Sequence, residues 1–180
     1  MDPQEAHPRR HVLLDETYER LPVHLALPLV VAETLALSVL FVGYTLLDAV
    51  DSHLAPLLVP PVVTLMVLIA LPRSVSSRPL RILLAYTIAA GAGLLLSAAL
   101  GHGLPVTILV GFVTLLGMHL TGTLHPPAVA MALVASRTTL ASAEDVVALP
   151  FVLAVVLAVV GWAWLGHRFL GDPEYPTGWW

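Results

Sequence analysis

The sequence contains no cysteine and no lysine; all eight basic residues are arginine. Without cysteine there are no disulfides, thiolate metal sites or cysteine nucleophiles. Charge is scarce at 11% of residues, against about 25% in ordinary soluble domains. The formal charge of −4 and the lack of a basic patch interleaved with aromatics argue against a nucleic-acid partner. No H-E-x-x-H pair, dinucleotide fingerprint, P-loop or nucleophile elbow occurs. His7, His11 and His24 lie near the N-terminus, but two histidines four apart do not make a metal site. Neither a metal, a cofactor nor a catalytic constellation is expected, and the chain reads as a non-enzyme.

What is abundant is apolar sequence. Hydrophobic residues make up 58% and the mean hydropathy is +0.89, where soluble domains are about 45–50% apolar. This composition predicts an all-α membrane protein. Residues 1–25 carry Arg9, Arg10, Arg20 and five acidic residues and lack the apolar middle of a signal peptide. They are expected to form a cytoplasmic segment, with "HVLLDETYERLPVHLALP" (His11–Pro28) either an interfacial helix or disordered. Residues 26–166 form the transmembrane region and 167–180 a short tail, in which Trp179 and Trp180 join Trp162 and Trp164 as an aromatic interface anchor.

Six apolar segments follow one another, at roughly Leu27–Leu47, Leu54–Leu71, Leu80–Leu100, Leu104–Leu120, Pro126–Ser136 and Val146–Leu165. A spanning helix needs about twenty residues, so the fifth is long enough for only half a bilayer. If all six cross with the N-terminus inside, every arginine except Arg137 is cytoplasmic, as the positive-inside rule favours. If the fifth is re-entrant, the tail and Arg168 move outside. The expected location is a prokaryotic plasma membrane.

The second and fifth segments share a feature. "LVPPVVTLMVLIA" (Leu58–Ala70) aligns with "LHPPAVAMALVAS" (Leu124–Ser136), so that Pro60-Pro61 meet Pro126-Pro127 and Val63 meets Val129. Each double proline falls in the middle segment of a three-segment half. Three spans per half reverse the second half, which predicts a 3+3 inverted repeat. Interrupted segments at matching positions of two halves point to a transporter's midplane site. Proline pushes the preceding residue out of the α region and is best tolerated in a first turn. Each pair is therefore expected to start a half-helix, leaving the N–H groups of Val62 to Thr64 and of Ala128 to Ala130 without intrahelical acceptors. Such donors are tolerated in a membrane only against protein or a water-filled cavity, and the positive helix end makes them an anion site. The bland alternative is that the prolines merely kink packed helices.

Around these starts stand a few polar side chains. His125 is placed to cap the second half-helix, as an anion donor or pH-sensitive charge or as a structural cap. Thr121 and Thr123 offer hydroxyls beside it, or cap local backbone; Thr64 is placed similarly after Pro60-Pro61. His119 either faces the same cavity or sits at the interface. Glu33 is a candidate proton carrier, or a carboxylate reaching the interface. Ala89, Ala90, Gly91 and Gly93 give the third segment a small face for close packing.

"TLHPPAVAMAL" (Thr123–Leu133) resembles the signature of the HPP family of integral membrane proteins, and "LPRSVSSRPLRILLAYTIAAGAG" (Leu71–Gly93) is similar to that family's proline-containing loop and small-residue helix. The resemblance covers about residues 25–165. It implies a multi-span bacterial or organellar membrane protein of a kind whose photosynthetic members are implicated in nitrite transport. Val129 departs from the small residue, often glycine, that the family motif carries there. Some members append regulatory soluble domains; here such control is expected to be absent or supplied in trans.

Together these features predict a channel or secondary transporter for a small monovalent anion, nitrite first and nitrate next. The anion would be held by His125, Pro126, Pro127, Ala128, Val129, Thr121, Thr123, Pro60, Pro61, Val62 and Thr64, with Glu33 and His119 as proton-coupling candidates. Expected partners are the anion, membrane lipid and, from the small size, further copies of the chain. The alternative is a non-transporting sensor or subunit binding a lipid or protein. It predicts dry packing where the transporter predicts a cavity at His125.

Overall fold

A computed structural model describes residues 23–50, 54–137, 147–169 and 175–180. Most of the N-terminal segment, with His7, His11, Arg9, Arg10 and Arg20, lies outside these residues. The side chains of His24 and Glu33 are likewise outside what is described, so the proton-carrier expectation for Glu33 is not addressed.

Among the described residues the protein is all-α, with six helices: α1 Val23–Val50, α2 Val59–Ala70, α3 Pro79–Leu100, α4 Leu104–Thr121, α5 Pro126–Ala135 and α6 Ala148–Phe169. Helices α3, α4 and α6 are long and apolar enough to cross a membrane. Large apolar side chains such as Phe41 on α1, Phe112 on α4 and Leu157 on α6 are exposed on the outside of the bundle, as a lipid-facing surface requires.

Helix α3 is the central element and packs against α4, α5 and α6; α2 packs against α1, α5 and α6. The closest seam follows from the spacing of small residues. Ala85, Ala89, Gly93 and Ser97 recur every fourth residue on α3, and Ala128 and Ala132 of α5, with Ser136 just beyond it, do the same. Such stripes let backbones approach until packing and carbonyl contacts hold them. A Cβ at Gly93 would lie 2.7 Å from the Ala132 carbonyl oxygen and 2.7 Å from Ala135 Cβ, whereas one at Gly91 would meet nothing within 4 Å. Of the expected small face, Gly93 and Ala89 belong to the seam and Gly91 does not. The Ser97 hydroxyl closes the seam by donating to the Ser136 carbonyl at 2.8 Å.

The ends of the bundle can be told apart by hydrogen bonds. His167 Nε2 lies 3.0 Å from the Leu68 carbonyl oxygen, Arg81 Nη1 donates to the Gly122 carbonyl at 2.9 Å, and the Leu80 N–H donates to the Trp179 carbonyl at 3.0 Å. The ends of α2, α4 and α6, the start of α3 and the tail therefore share one face, together with Arg78, Arg81 and Arg168. At the other face Ser136 meets Ser97 and His102, and Arg137 follows it. The chain before α5 starts on the arginine face and α5 finishes on the opposite one. The fifth segment thus runs from the arginine face of the bundle to the opposite face, and the tail lies on the same face as Arg78.

Candidate functional site

The site forms where the two double prolines come together. Gly122 ends α4 in the left-handed conformation (φ 66°, ψ 27°), with the Thr123 N–H donating to the Met118 carbonyl at 2.9 Å, a helix stop for which glycine is suited. The chain then runs extended to His125 (φ −139°, ψ 101°). Alternate residues of an extended segment point to opposite sides, so Thr123 and His125 are buried and Leu124 is exposed. Pro126 and Pro127 open α5, where a missing N–H costs nothing.

His125 does not cap its own helix. Its Nε2 lies 2.9 Å from Thr64 Oγ1, and the same oxygen lies 2.7 Å from the Tyr86 hydroxyl and 3.3 Å from the Pro60 carbonyl oxygen. Thr64, Tyr86 and His125 are all at most 1% exposed. One threonine thus joins α2, α3 and the start of α5. Tyr86 lies two turns into α3, which places the cluster about 10 Å below the arginine face. His125 Nδ1 is buried and has no hydrogen-bond partner; the Ser76 backbone, in the loop before α3, is a further polar neighbour of the ring and stands outside hydrogen-bonding geometry.

Several expectations are corrected by this geometry. Pro60 and Pro61 sit in the first turn of α2, but no free start precedes them. A 3₁₀ turn, Ala55–Leu58, runs straight into the helix, with Leu58 (φ −75°, ψ −26°) and Val59 (φ −62°, ψ −50°) both in the α region. Burial of Ala55, Leu57 and Leu58 outweighs the aversion of a pre-proline residue to that region. At α5 the Ala128 N–H is not free either: it donates to the His125 carbonyl at 3.0 Å. Among the site's side chains the unsatisfied polar atom is an imidazole nitrogen, His125 Nδ1.

The remaining candidates divide. Pro60, Pro61, Pro127 and Ala128 are buried at the junction, Val129 is half-buried, and Pro126 is exposed. Val62 is half-buried and lines a groove of about 520 Å³ against Thr34, Ser38 and Tyr44 of α1, away from His125. Thr123 is buried, and its hydroxyl pairs with that of Thr121 at 2.8 Å; Thr121 is exposed and also donates to the Gly117 carbonyl at 2.8 Å. His119 is exposed on α4 and does not join the site. Two grooves among the described residues lie along α1, α2 and α6, and neither is lined by His125, Thr64 or Tyr86, which are all buried.

Tyr86 was not singled out from sequence. Its signal was available, since a tyrosine in an otherwise apolar helix must find a partner for its hydroxyl when buried. Above the site, the tail covers the arginine face. The Tyr175 hydroxyl donates to the Ser77 carbonyl at 3.4 Å, Arg78 Nη1 donates to the Trp180 carbonyl, and the Arg81 guanidinium stands 5.7 Å from the centre of a Trp180 ring. Burial pushes the Tyr175 phenol up from its ordinary range and keeps it neutral.

No curated protein and no solved structure matches the chain. Residues 26–176 match the family described as HPP, transmembrane region. That match spans all six helices except the first residues of α1, and includes the Pro126-Pro127 junction with its histidine. The chain belongs to the HPP transmembrane family.

Proposed function

We propose that this membrane protein is a secondary transporter of a small monovalent anion, with nitrite the first candidate and nitrate the next, and that the structure holds it in a closed conformation. The observation that carries the proposal is His125: an ionisable side chain buried at a broken helix, with one ring nitrogen unpartnered. Ionisable groups inside a membrane are costly and functional by default. The helix pairs add support. Exchanging α1 with α4, α2 with α5 and α3 with α6 turns the α2–α6 pair into α5–α3 and the α1–α2 pair into α4–α5, and leaves α2–α5 and α3–α6 unchanged, while the α3–α4 pair has no comparable α6–α1 counterpart among the described residues. An inverted repeat would produce the matching pairs, and it is the architecture in which a broken-helix site is reached alternately from either side. On this proposal the arginine face is cytoplasmic in a prokaryotic plasma membrane, lipid and further copies of the chain are the partners, and the protein is not an enzyme.

One observation favours a second reading. The junction is buried and lines neither groove, as expected if the protein is a non-transporting membrane subunit that binds a lipid or another protein. Flux of nitrite, nitrate and chloride into proteoliposomes separates the two. Transport predicts nitrite entry above that of empty vesicles, reduced at least tenfold by Ala128→Leu, because Ala128 is buried in the first turn beside His125. Absence of flux for every anion under pH gradients of either sign would leave the subunit reading.

A further inference from the structure

The hydrogen bonds around Thr64 determine where the proton of His125 sits. A hydroxyl donates one hydrogen and accepts two. Thr64 Oγ1 has three neighbours: the Pro60 carbonyl oxygen at 3.3 Å, the Tyr86 hydroxyl at 2.7 Å and His125 Nε2 at 2.9 Å. The carbonyl can only accept, so it takes the threonine's single hydrogen. All three bonds then exist together in one arrangement: Tyr86 O–H and His125 Nε2–H both donate to Thr64. Neutral His125 is therefore the Nε2–H form, and its Nδ1 is a bare lone pair, buried and without a donor.

This changes what His125 offers an anion. Its one N–H is spent on Thr64, and a bare lone pair repels negative charge. An anion gains a hydrogen bond from this ring only after Nδ1 has taken a proton. A lone imidazolium in a buried junction is costly, as is a lone anion; the pair together is neutral and hydrogen-bonded.

We propose that anion binding at His125 is coupled to protonation of Nδ1, so that the protein carries one proton with each anion, electroneutrally, with Tyr86 and Thr64 as positioning residues that hold the ring in the accepting tautomer. The groups around the ring leave the task to it. Tyr86 of α3 is the titratable neighbour, and it is a donor to Thr64. The loop Val75–Ser77 contributes no titratable side chain. Arg81 reaches the Gly122 carbonyl and Trp180, Arg78 reaches the Trp180 carbonyl, His167 of α6 faces the Leu68 carbonyl and the Tyr175 ring, Tyr175 donates to Ser77, and His119 of α4 is exposed. No hydrogen bond among the described residues brings a carboxylate to His125. The proton binds as the anion enters and leaves with it, so charge balances at each step.

The inference rests on the transport reading, and the experiment separates the two. Full-length protein in vesicles is given nitrite or nitrate, with the voltage clamped by potassium and valinomycin and empty vesicles as the control. Nitrate, fully dissociated across the working pH range, excludes undissociated acid crossing lipid. Coupling predicts about tenfold accumulation per unit of acid-outside pH gradient, no response to voltage, and loss of the pH-driven accumulation in His125→Gln. Nitrogen-15 spectra of the wild-type imidazole provide a second measurement that does not depend on the folding of the variant. Nδ1 should be bare in anion-free protein at neutral pH and protonated when nitrite or nitrate is added. Anion entry that follows voltage and ignores pH, or an Nδ1 already protonated without anion, would overturn the coupling and leave transport standing. No flux of either anion would overturn both.

Discussion

Thr64 Oγ1 lies 2.9 Å from His125 Nε2, and this contact joins α2 to the start of α5 across 61 residues of sequence. Both side chains are buried, and Thr64 is the partner shown for His125 Nε2. The contact also brings the two double prolines into one junction.

Thr64→Val keeps the shape and removes the hydroxyl. It leaves the Tyr86 hydroxyl and His125 Nε2 without their shared partner, and an orphaned buried donor costs about 1–3 kcal/mol. Thermal unfolding of the detergent-solubilised protein should show a lower midpoint, by about 2–4 °C per kcal/mol for a chain of this size. An unchanged midpoint would mean that the cluster does not hold the junction.

The α3–α5 seam predicts opposite outcomes for two glycines two residues apart, Gly91 and Gly93. Gly93→Ala drives a methyl against the Ala132 carbonyl and Ala135, and overpacking of this kind costs about 1–3 kcal/mol. Gly91→Ala meets open space and should be neutral or stabilising by up to about 1 kcal/mol, through helix propensity alone. The difference between the two midpoints is the quantity to measure; equal effects would refute the seam.

Arg81→Ala removes both the bond to the Gly122 carbonyl and the stacking on Trp180. The stability cost is small, about 0.5–1 kcal/mol at such an exposed site. The effect should appear instead in the tail, as faster proteolysis after Tyr175 and greater acrylamide quenching of tryptophan fluorescence. Unaltered cleavage would show that the tail is held without Arg81.

The sidedness of the tail is open to a clean test because the chain has no cysteine. Single replacements Ser74→Cys and Gly178→Cys should react with an impermeant maleimide from the same side of the membrane, and Arg137→Cys from the other. Labelling of Gly178→Cys and Arg137→Cys from one side would contradict a crossing α5.

Much of the fold was legible because a membrane imposes few solutions. Apolar runs of about twenty residues must be helices, since no water is present to satisfy an exposed backbone. The positions of α3, α4 and α6 follow from that rule, as does the short α5 from Pro126. The double prolines were less transparent. The local rule for a residue before proline held at His125, which is extended, and failed at Val59, where burial of the preceding 3₁₀ turn kept the backbone helical. Propensity is a local energy of about a kilocalorie, and packing over three buried side chains exceeds it.

By itself the sequence determined the class of the protein, its family and the helix start at Pro126-Pro127, because composition, hydropathy and local sterics act within a few residues. Tertiary structure alone decided that Thr64 and Tyr86 serve His125, that His119 faces outward, that Gly93 rather than Gly91 lies in the seam, and that the tail returns to the arginine face. Each of those depends on contacts between residues far apart in the chain. Hydrogen-bond satisfaction and close packing choose such contacts only when all six helices are in place, and no window of sequence contains them.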